Sequence, residues 1–167
     1  MIIASISENK EFEKRIAITP ETAKKYIELG FQVSLSENYA KHLGINDLDY
    51  TDLGVKIYKD EKEIITKANI ILQLGLPSPE VNLLMDKDQT LIGVFNPFIN
   101  KDKIHALVAK KINIFSLELL PRITRAQSMD ILSSQANLAG YKAVIESFAY
   151  FQKAIPMMMT AAGTISA

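Results

Sequence analysis

Asn69-Ile70-Ile71-Leu72-Gln73-Leu74-Gly75-Leu76-Pro77-Ser78-Pro79-Glu80 is an apolar run that halts at a glycine- and proline-rich turn and hands over to a short helix, Glu80 to Met85. A strand apolar on both of its faces is buried on both faces, as in a parallel sheet covered by helices. The same strand–turn–helix unit recurs on either side. Upstream, Met1 to Ile6 reads as a buried strand, followed by a charged loop over Ser7 to Ile18. Thr19-Pro20-Glu21 starts a helix, with a hydroxyl N-cap, proline at the first helical position and an acid facing the helix dipole. Gly30 closes that helix, and Phe31 to Leu35 alternates as a second strand. Helical patterns near Asn46 to Leu53 and Lys59 to Lys67 flank a short strand at Val55 to Ile57. Downstream come a strand over Thr90 to Phe95, a helix over Asn100 to Lys110 and a strand from Ile112.

This alternation predicts a doubly wound, mainly parallel α/β sheet with flanking helices. At 167 residues, 48% of them apolar, the chain is long enough to bury a full domain core. Lys plus Arg equals Asp plus Glu at 19 each, which argues against a nucleic-acid partner. With no cysteine, disulfides and thiolate metal sites are excluded. No run of about 18 apolar residues is available to span a membrane, and Met1 to Ile6 reads as a strand rather than a leader.

The polar chemistry gathers at Leu120-Pro121-Arg122-Ile123-Thr124-Arg125-Ala126-Gln127-Ser128-Met129-Asp130-Ile131-Leu132-Ser133-Ser134, which enters the longest helical pattern in the sequence. That helix is expected to run from roughly Ala126 to Gln152 and to end before Pro156. Met129, Leu132, Ala136, Ala139 and Ala143 form one apolar stripe, and Ile131, Leu138 and Ile145 a second. Between them lie Asp130, Ser133, Ser134, Asn137 and Tyr141, on a helix read as largely buried. The loop admits two readings. Thr124 can serve as the N-cap, with Gln127 three residues on completing a capping box. Alternatively Arg122, Gln127, Asp130 and Ser133 line a ligand site where the helix dipole favours an anion.

Other candidates read more plainly. Arg15, in the loop Glu13-Lys14-Arg15-Ile16-Ala17-Ile18-Thr19-Pro20, has the chemistry to clamp a carboxylate, although on spacing alone a solvated charged loop before a capped helix is the better reading. His42 and His105 stand apart, with no partner at metal-ligand spacing, and read as surface or cap residues. The Met157-Met158-Met159 run reads as packing, within an uncharged tail from Met157 to Ala167. The seven glycines, at 30, 44, 54, 75, 93, 140 and 163, allow no GxGxxG, so these residues carry no dinucleotide fingerprint.

Three motifs carry a resemblance. The Glu13 to Pro20 segment, the Leu120 to Tyr141 segment and Thr160-Ala161-Ala162-Gly163-Thr164 resemble the alpha subunit of proton-translocating NAD(P) transhydrogenase, over the whole chain. The first motif is shared with alanine dehydrogenase. The resemblance implies a Rossmann-like N-terminal domain at 1–125, a long interdomain helix at 126–155 and the start of a truncated NAD-binding domain at 156–167. A glycine-rich NAD domain is then expected to follow Ala167. It further implies that Arg122, Asp130 and Ser133 meet the nicotinamide end of NAD(H), while Gln127 reaches toward NADP(H) on a partner component. The implied partners are the membrane and NADP-binding components and a second copy in a homodimer. The segment itself does not enter the membrane, and its place is cytoplasmic, held to the bacterial inner membrane through those partners. Hydride passing between two nicotinamides needs proximity and orientation but no protein acid or base. Alanine dehydrogenase needs a substrate-facing lysine and histidine, and the aligned positions here hold Gly75 and Asn96. Two alternatives stand beside this reading: an alanine-dehydrogenase-like oxidoreductase, and a non-catalytic dimerisation module.

Overall fold

The computed structural model describes residues 1–153 and 155–166. Ala154, inside the expected interdomain segment 126–155, and Ala167, at the end of the expected segment 156–167, lie outside the described residues. The chain forms two compact units, Met1–Leu120 and Pro121–Ala167.

The first unit repeats strand and helix: β1 Ile2–Ser5, α1 Pro20–Glu28, β2 Gln32–Ser36, α2 Asp47–Thr51, β3 Lys56–Tyr58, α3 Glu61–Lys67, β4 Ile70–Leu72, α4 Pro79–Leu84, β5 Thr90–Gly93, α5 Lys101–Ala109 and β6 Asn113–Ser116. All six strands are parallel, in the order β3-β2-β1-β4-β5-β6. The strand order therefore reverses between β1 and β4, which defines the switch point of a doubly wound sheet.

Successive residues of each strand feed opposite faces, the two-residue period of a pleated sheet. Ala4, Ile71 and Leu91 pack with Ile64, Ile65, Met85, Phe95 and Leu107 on one side. Ile3, Val33 and Leu35 pack with Ile18, Ala23, Tyr39 and Tyr50 on the other. The local punctuation matches its chemistry. Thr19 caps α1 by accepting from the Thr22 N–H, with Pro20 in the first turn, and Gly30 follows the helix at φ +87°.

Tyr39 and Tyr50 meet edge to face, ring centroids 6.2 Å apart, beneath the β1–α1 loop. The Tyr39 hydroxyl accepts from the Ala17 and Ile18 N–H groups at 3.0 and 3.2 Å and lies 2.8 Å from Ser5 Oγ. The Tyr50 hydroxyl donates to the Ile18 carbonyl at 2.8 Å. Tyr39→Phe leaves two backbone donors without an acceptor, so the expected loss in urea unfolding is about 2 kcal/mol. A midpoint equal to the parent's would remove this hydroxyl from the set of contacts that fix the loop.

The second unit departs from the sequence expectations in four respects. Thr124–Met129 is a 3-10 helix, and the α-helix, α6, spans Ile131–Tyr150 rather than Ala126 to Gln152. It therefore stops six residues before Pro156. No residue of α6 is buried, in contrast to the expected largely buried helix; Leu138 and Tyr141 are 60% and 69% exposed. Met158–Thr160 and Gly163–Ile165 pair as an antiparallel hairpin, β7–β8, where an uncharged tail was expected. Its turn is held by the Thr160 hydroxyl, which donates to the Gly163 carbonyl and accepts from the Ala162 N–H. The methionine run is exposed rather than packed, Met159 at 85%. Among the described residues, no helix is long and apolar enough to cross a membrane.

Candidate functional site

The N-terminus of α6 is built around Asp130, not Thr124. Asp130 has extended backbone and is the N-cap: its Oδ1 accepts from the Leu132 and Ser133 N–H groups at 3.0 and 3.1 Å. Ser133 Oγ donates to Asp130 Oδ2 at 2.6 Å. Ser134 Oγ, one residue on, donates to the Asp130 carbonyl at 3.1 Å. The expected Thr124–Gln127 capping box is absent, because Ile123 supplies the cap of the 3-10 turn and no side-chain bond forms there. A carboxylate closes two helix-end donors with one atom and carries the charge the dipole favours, so it outcompetes a hydroxyl six residues upstream.

The Ser133 hydroxyl bond holds the Asp130 carboxyl below its ordinary range, helped by the Ser133 and Leu132 N–H groups and the charge of Arg122. Asp130 is therefore ionised at neutral pH, with Arg122 near enough for its charge to count. Of the four sequence-identified residues, Asp130 and Ser133 are joined here by a hydrogen bond, and the charge of Arg122 acts on Asp130. Gln127 is exposed and no side-chain hydrogen bond to it is found among the described residues. An ionised N-cap also answers the anion question: the dipole is already neutralised by the chain's own carboxylate, so this end suits a polar neutral group better than a phosphate.

A nicotinamide carboxamide presents one acceptor oxygen and two amide donors. Arg122 supplies only donors, Asp130 supplies acceptors and Ser133 either, so the donor set fits that group. No glycine-rich phosphate cradle accompanies it.

In the first unit Arg15 pairs with Glu13 of its own loop. Its Nε and Nη2 donate to Oε1 and Oε2 of its own Glu13 at 2.9 and 2.6 Å, the plain reading of that loop. His42 Nε2 donates to the Lys14 carbonyl, 2.7 Å away, as a loop tie. Asn96 takes a left-handed backbone, φ +47°, and its N–H donates to Glu118. Among the described residues, no three His, Cys, Asp or Glu side chains gather to hold a metal.

Sequence reasoning missed the carboxyl edge of the sheet at the switch point. There Gln73, buried, accepts through Oε1 from the Ser5 hydroxyl at 2.9 Å and the Ile6 N–H at 3.0 Å. Glu8 Oε1 accepts from the Leu74 N–H at 2.5 Å. A glutamine inside an apolar strand was the available signal.

A doubly wound parallel unit followed by a long carboxylate-capped helix is a Rossmann-like architecture. The family described as "Alanine dehydrogenase/PNT, N-terminal domain" matches residues 5–139, and the chain belongs to it. The chain is 41% identical over 172 aligned positions to the first portion of the NAD(P) transhydrogenase alpha subunit of Rickettsia prowazekii, covering 100% of this chain and 45% of that one. The protein of the same name from Rhodospirillum rubrum is 39% identical, covering 99% and 44%. A solved transhydrogenase structure from Sinorhizobium meliloti superposes with a TM-score of 0.92 at 38% identity, over 100% of this chain and 50% of that one. Alanine dehydrogenases are more distant relatives: that of Methanococcus maripaludis is 25% identical, over 92% of this chain and 40% of its own. The chain thus spans about half the length of the curated relatives it matches.

Proposed function

We propose that this chain is the portion of an NAD(P) transhydrogenase alpha subunit that orients NAD(H) for hydride transfer to NADP. The observation that carries it is the bonded Asp130–Ser133 pair at the start of α6, on which the Arg122 charge acts. The identity to transhydrogenase alpha subunits along the full chain supports it.

In this reading Arg122 donates to the carboxamide oxygen of the nicotinamide, and Asp130 and Ser133 receive its amide protons. When bound, the nicotinamide ring supplies the hydride. The protein's own contribution is to hold that ring at a fixed angle, and neither proton donor nor base is required. Gln127, left free of the helix cap, extends toward NADP(H) held by a partner component. Residues 1–125 form the supporting domain, 126–155 the interdomain segment and 156–167 the beginning of an NAD-binding domain. Completion of that domain, a second copy of the chain and the membrane and NADP-binding components make up the working assembly. It sits in the cytoplasm against the inner membrane through those partners and couples transfer to proton movement.

Asp130→Asn separates the ligand role from the structural one, because asparagine caps helices as well as aspartate does. In the chain completed by its NAD domain and partners, Asp130→Asn and Ser133→Ala are expected to keep the helical circular dichroism of the parent. Hydride transfer from NADH is expected to fall at least about tenfold, the equivalent of one lost hydrogen bond in the transition state. Parental rates in both variants would sink the assignment. The 167-residue chain alone, lacking a glycine-rich turn, is expected to bind NADH negligibly; micromolar affinity in a calorimetric titration would contradict this.

The alanine dehydrogenase alternative fares worse. Neither Gly75 nor Asn96 can polarise a keto acid as a cation does, so the completed protein is expected to show no pyruvate-dependent oxidation of NADH. Robust turnover in that assay would reverse the preference.

A further inference from the structure

After β6 ends at Ser116, a 3-10 turn follows over Leu117–Leu119, and the first unit closes at Leu120. The turn's own backbone bond runs from the Leu120 N–H to the Leu117 carbonyl at 3.2 Å. Side chains supply the rest of the anchorage. Glu118, half-buried, spreads its carboxylate over two donors: Oε1 accepts from the Asn96 N–H, and Oε2 from the Ser116 hydroxyl at 2.7 Å. Ser116 Oγ in turn accepts from the Phe95 N–H at 3.3 Å.

The far end of this tie is firm. Phe95 is buried in the core. The Asn96 carbonyl accepts from the Ile99 and Asn100 N–H groups, both at 2.9 Å, and Asn100 Nδ2 donates to the Phe95 carbonyl at 2.9 Å. Asn96 itself holds a left-handed backbone that asparagine tolerates better than most residues, and the bond on its N–H steadies it. A charged acceptor makes the stronger kind of hydrogen bond, so this carboxylate is a fitting clamp between the β5–α5 loop and the exit turn.

We propose that Glu118 is a positioning residue for hydride transfer: it pins the chain at the end of the first unit, four residues before Arg122, and so limits the excursions of the loop that carries Arg122 and Gln127. The inference rests on the nicotinamide reading of that loop. Little slack separates clamp and loop. Pro121 fixes its own φ and biases Leu120 toward the extended backbone it shows, and the Ile123 N–H donates to the Pro121 carbonyl at 2.9 Å. A reaction governed by orientation is sensitive to looseness at that point, since a misplacement of roughly 1 Å can cost about 100-fold. The clamp needs two acceptor or donor atoms at the right reach and no charge as such. In Glu118→Gln the amide oxygen can accept from Asn96, while the amide nitrogen donates to Ser116 Oγ.

The test compares Glu118→Ala and Glu118→Gln with the parent, by amide hydrogen exchange of the 167-residue chain and by single-turnover transfer in the completed assembly. Glu118→Ala is expected to speed exchange at the hydrogen-bonded Ile123 and Ala126 amides at least about tenfold, with the core amides of Ile71 and Leu91 unchanged. Transfer at saturating nucleotide is expected to fall at least about tenfold, with NADH affinity held within about twofold. Glu118→Gln is expected to restore both. Parental exchange at Ile123 and Ala126 in Glu118→Ala overturns the proposal, and so does faster exchange there with a parental transfer rate. Faster exchange spread evenly over the core also overturns it, because Glu118 would then be a general stabiliser, as does a transfer loss equally deep in Glu118→Gln. Failure of the nicotinamide reading shows separately, as parental rates in Asp130→Asn and Ser133→Ala. Should Glu118→Ala fail to fold, Glu118→Asp, one methylene too short to span both donors, takes its place under the same criteria.

Discussion

Gly93→Ala is expected to lower the stability of the first unit by about 3 kcal/mol or more, at the upper end of overpacking costs. A Cβ on Gly93 would lie 1.9 Å from the Gln73 carbonyl oxygen and 2.5 and 2.7 Å from the Phe95 ring. The ring could turn, but the carbonyl belongs to the backbone leaving β4. That segment is fixed by the Gln73 N–H donating to the Ile92 carbonyl at 3.0 Å. Moving it also displaces the Gln73 side chain, which ties Ser5 and Ile6 at the end of β1. Strain therefore spreads across the β1–β4–β5 centre of the sheet. For a chain of this size the loss corresponds to roughly 10 °C in melting temperature. Gly75→Ala is the control: its added Cβ meets only Glu8 Oε2 at 3.6 Å, so its effect should stay within about 0.5 kcal/mol. Urea unfolding of both variants decides the matter, and a Gly93→Ala midpoint equal to that of Gly75→Ala would defeat the argument.

The parallel sheet was legible because its signals are local. Ile70 to Leu72 is apolar on both faces, and Thr19-Pro20-Glu21 states a helix start within three residues. Neither needs a distant partner to be recognised. The start of α6 was misread because two local signals compete. Thr124 with Gln127 fits the capping-box spacing, but Asp130 with Ser133 puts a carboxylate and a hydroxyl on the same helix end and prevails. The β7–β8 hairpin was missed because its strands are three residues each and its turn, Ala161-Ala162, lacks the usual asparagine–glycine signature. The Glu8 contact was invisible for another reason. Leu74 lies 66 residues away, and only the parallel crossover brings β1 and β4 side by side. The family motif pointed to Arg122, Asp130 and Ser133, whereas spacing alone left a cap and a ligand site both open.

Gln127→Asn should slow hydride transfer in the completed assembly on the order of 100-fold, while leaving stability and NADH affinity almost unchanged. If Gln127 closed a capping box, shortening it would loosen the helix start by about 0.5–1 kcal/mol. The structure removes that role, because Asp130 caps α6 and no bond joins Gln127 to Thr124. The side chain is exposed, so its truncation by one methylene should change the unfolding free energy by less than about 0.5 kcal/mol. Arg122, Asp130 and Ser133 are untouched by the substitution, and the grip on the first nicotinamide should persist. What changes is reach. Under the proposed role, an amide withdrawn by roughly 1 Å would no longer meet the second nucleotide, and a misplacement of that size can cost about 100-fold in a reaction governed by orientation. Gln127→Glu, which keeps the length and adds charge, should also transfer slowly but through poorer docking, raising the apparent KM for the second nucleotide. Single-turnover kinetics beside an NADH titration and a urea melt separate these effects. A parental transfer rate in Gln127→Asn would leave Gln127 as a solvent-facing residue of the 3-10 turn.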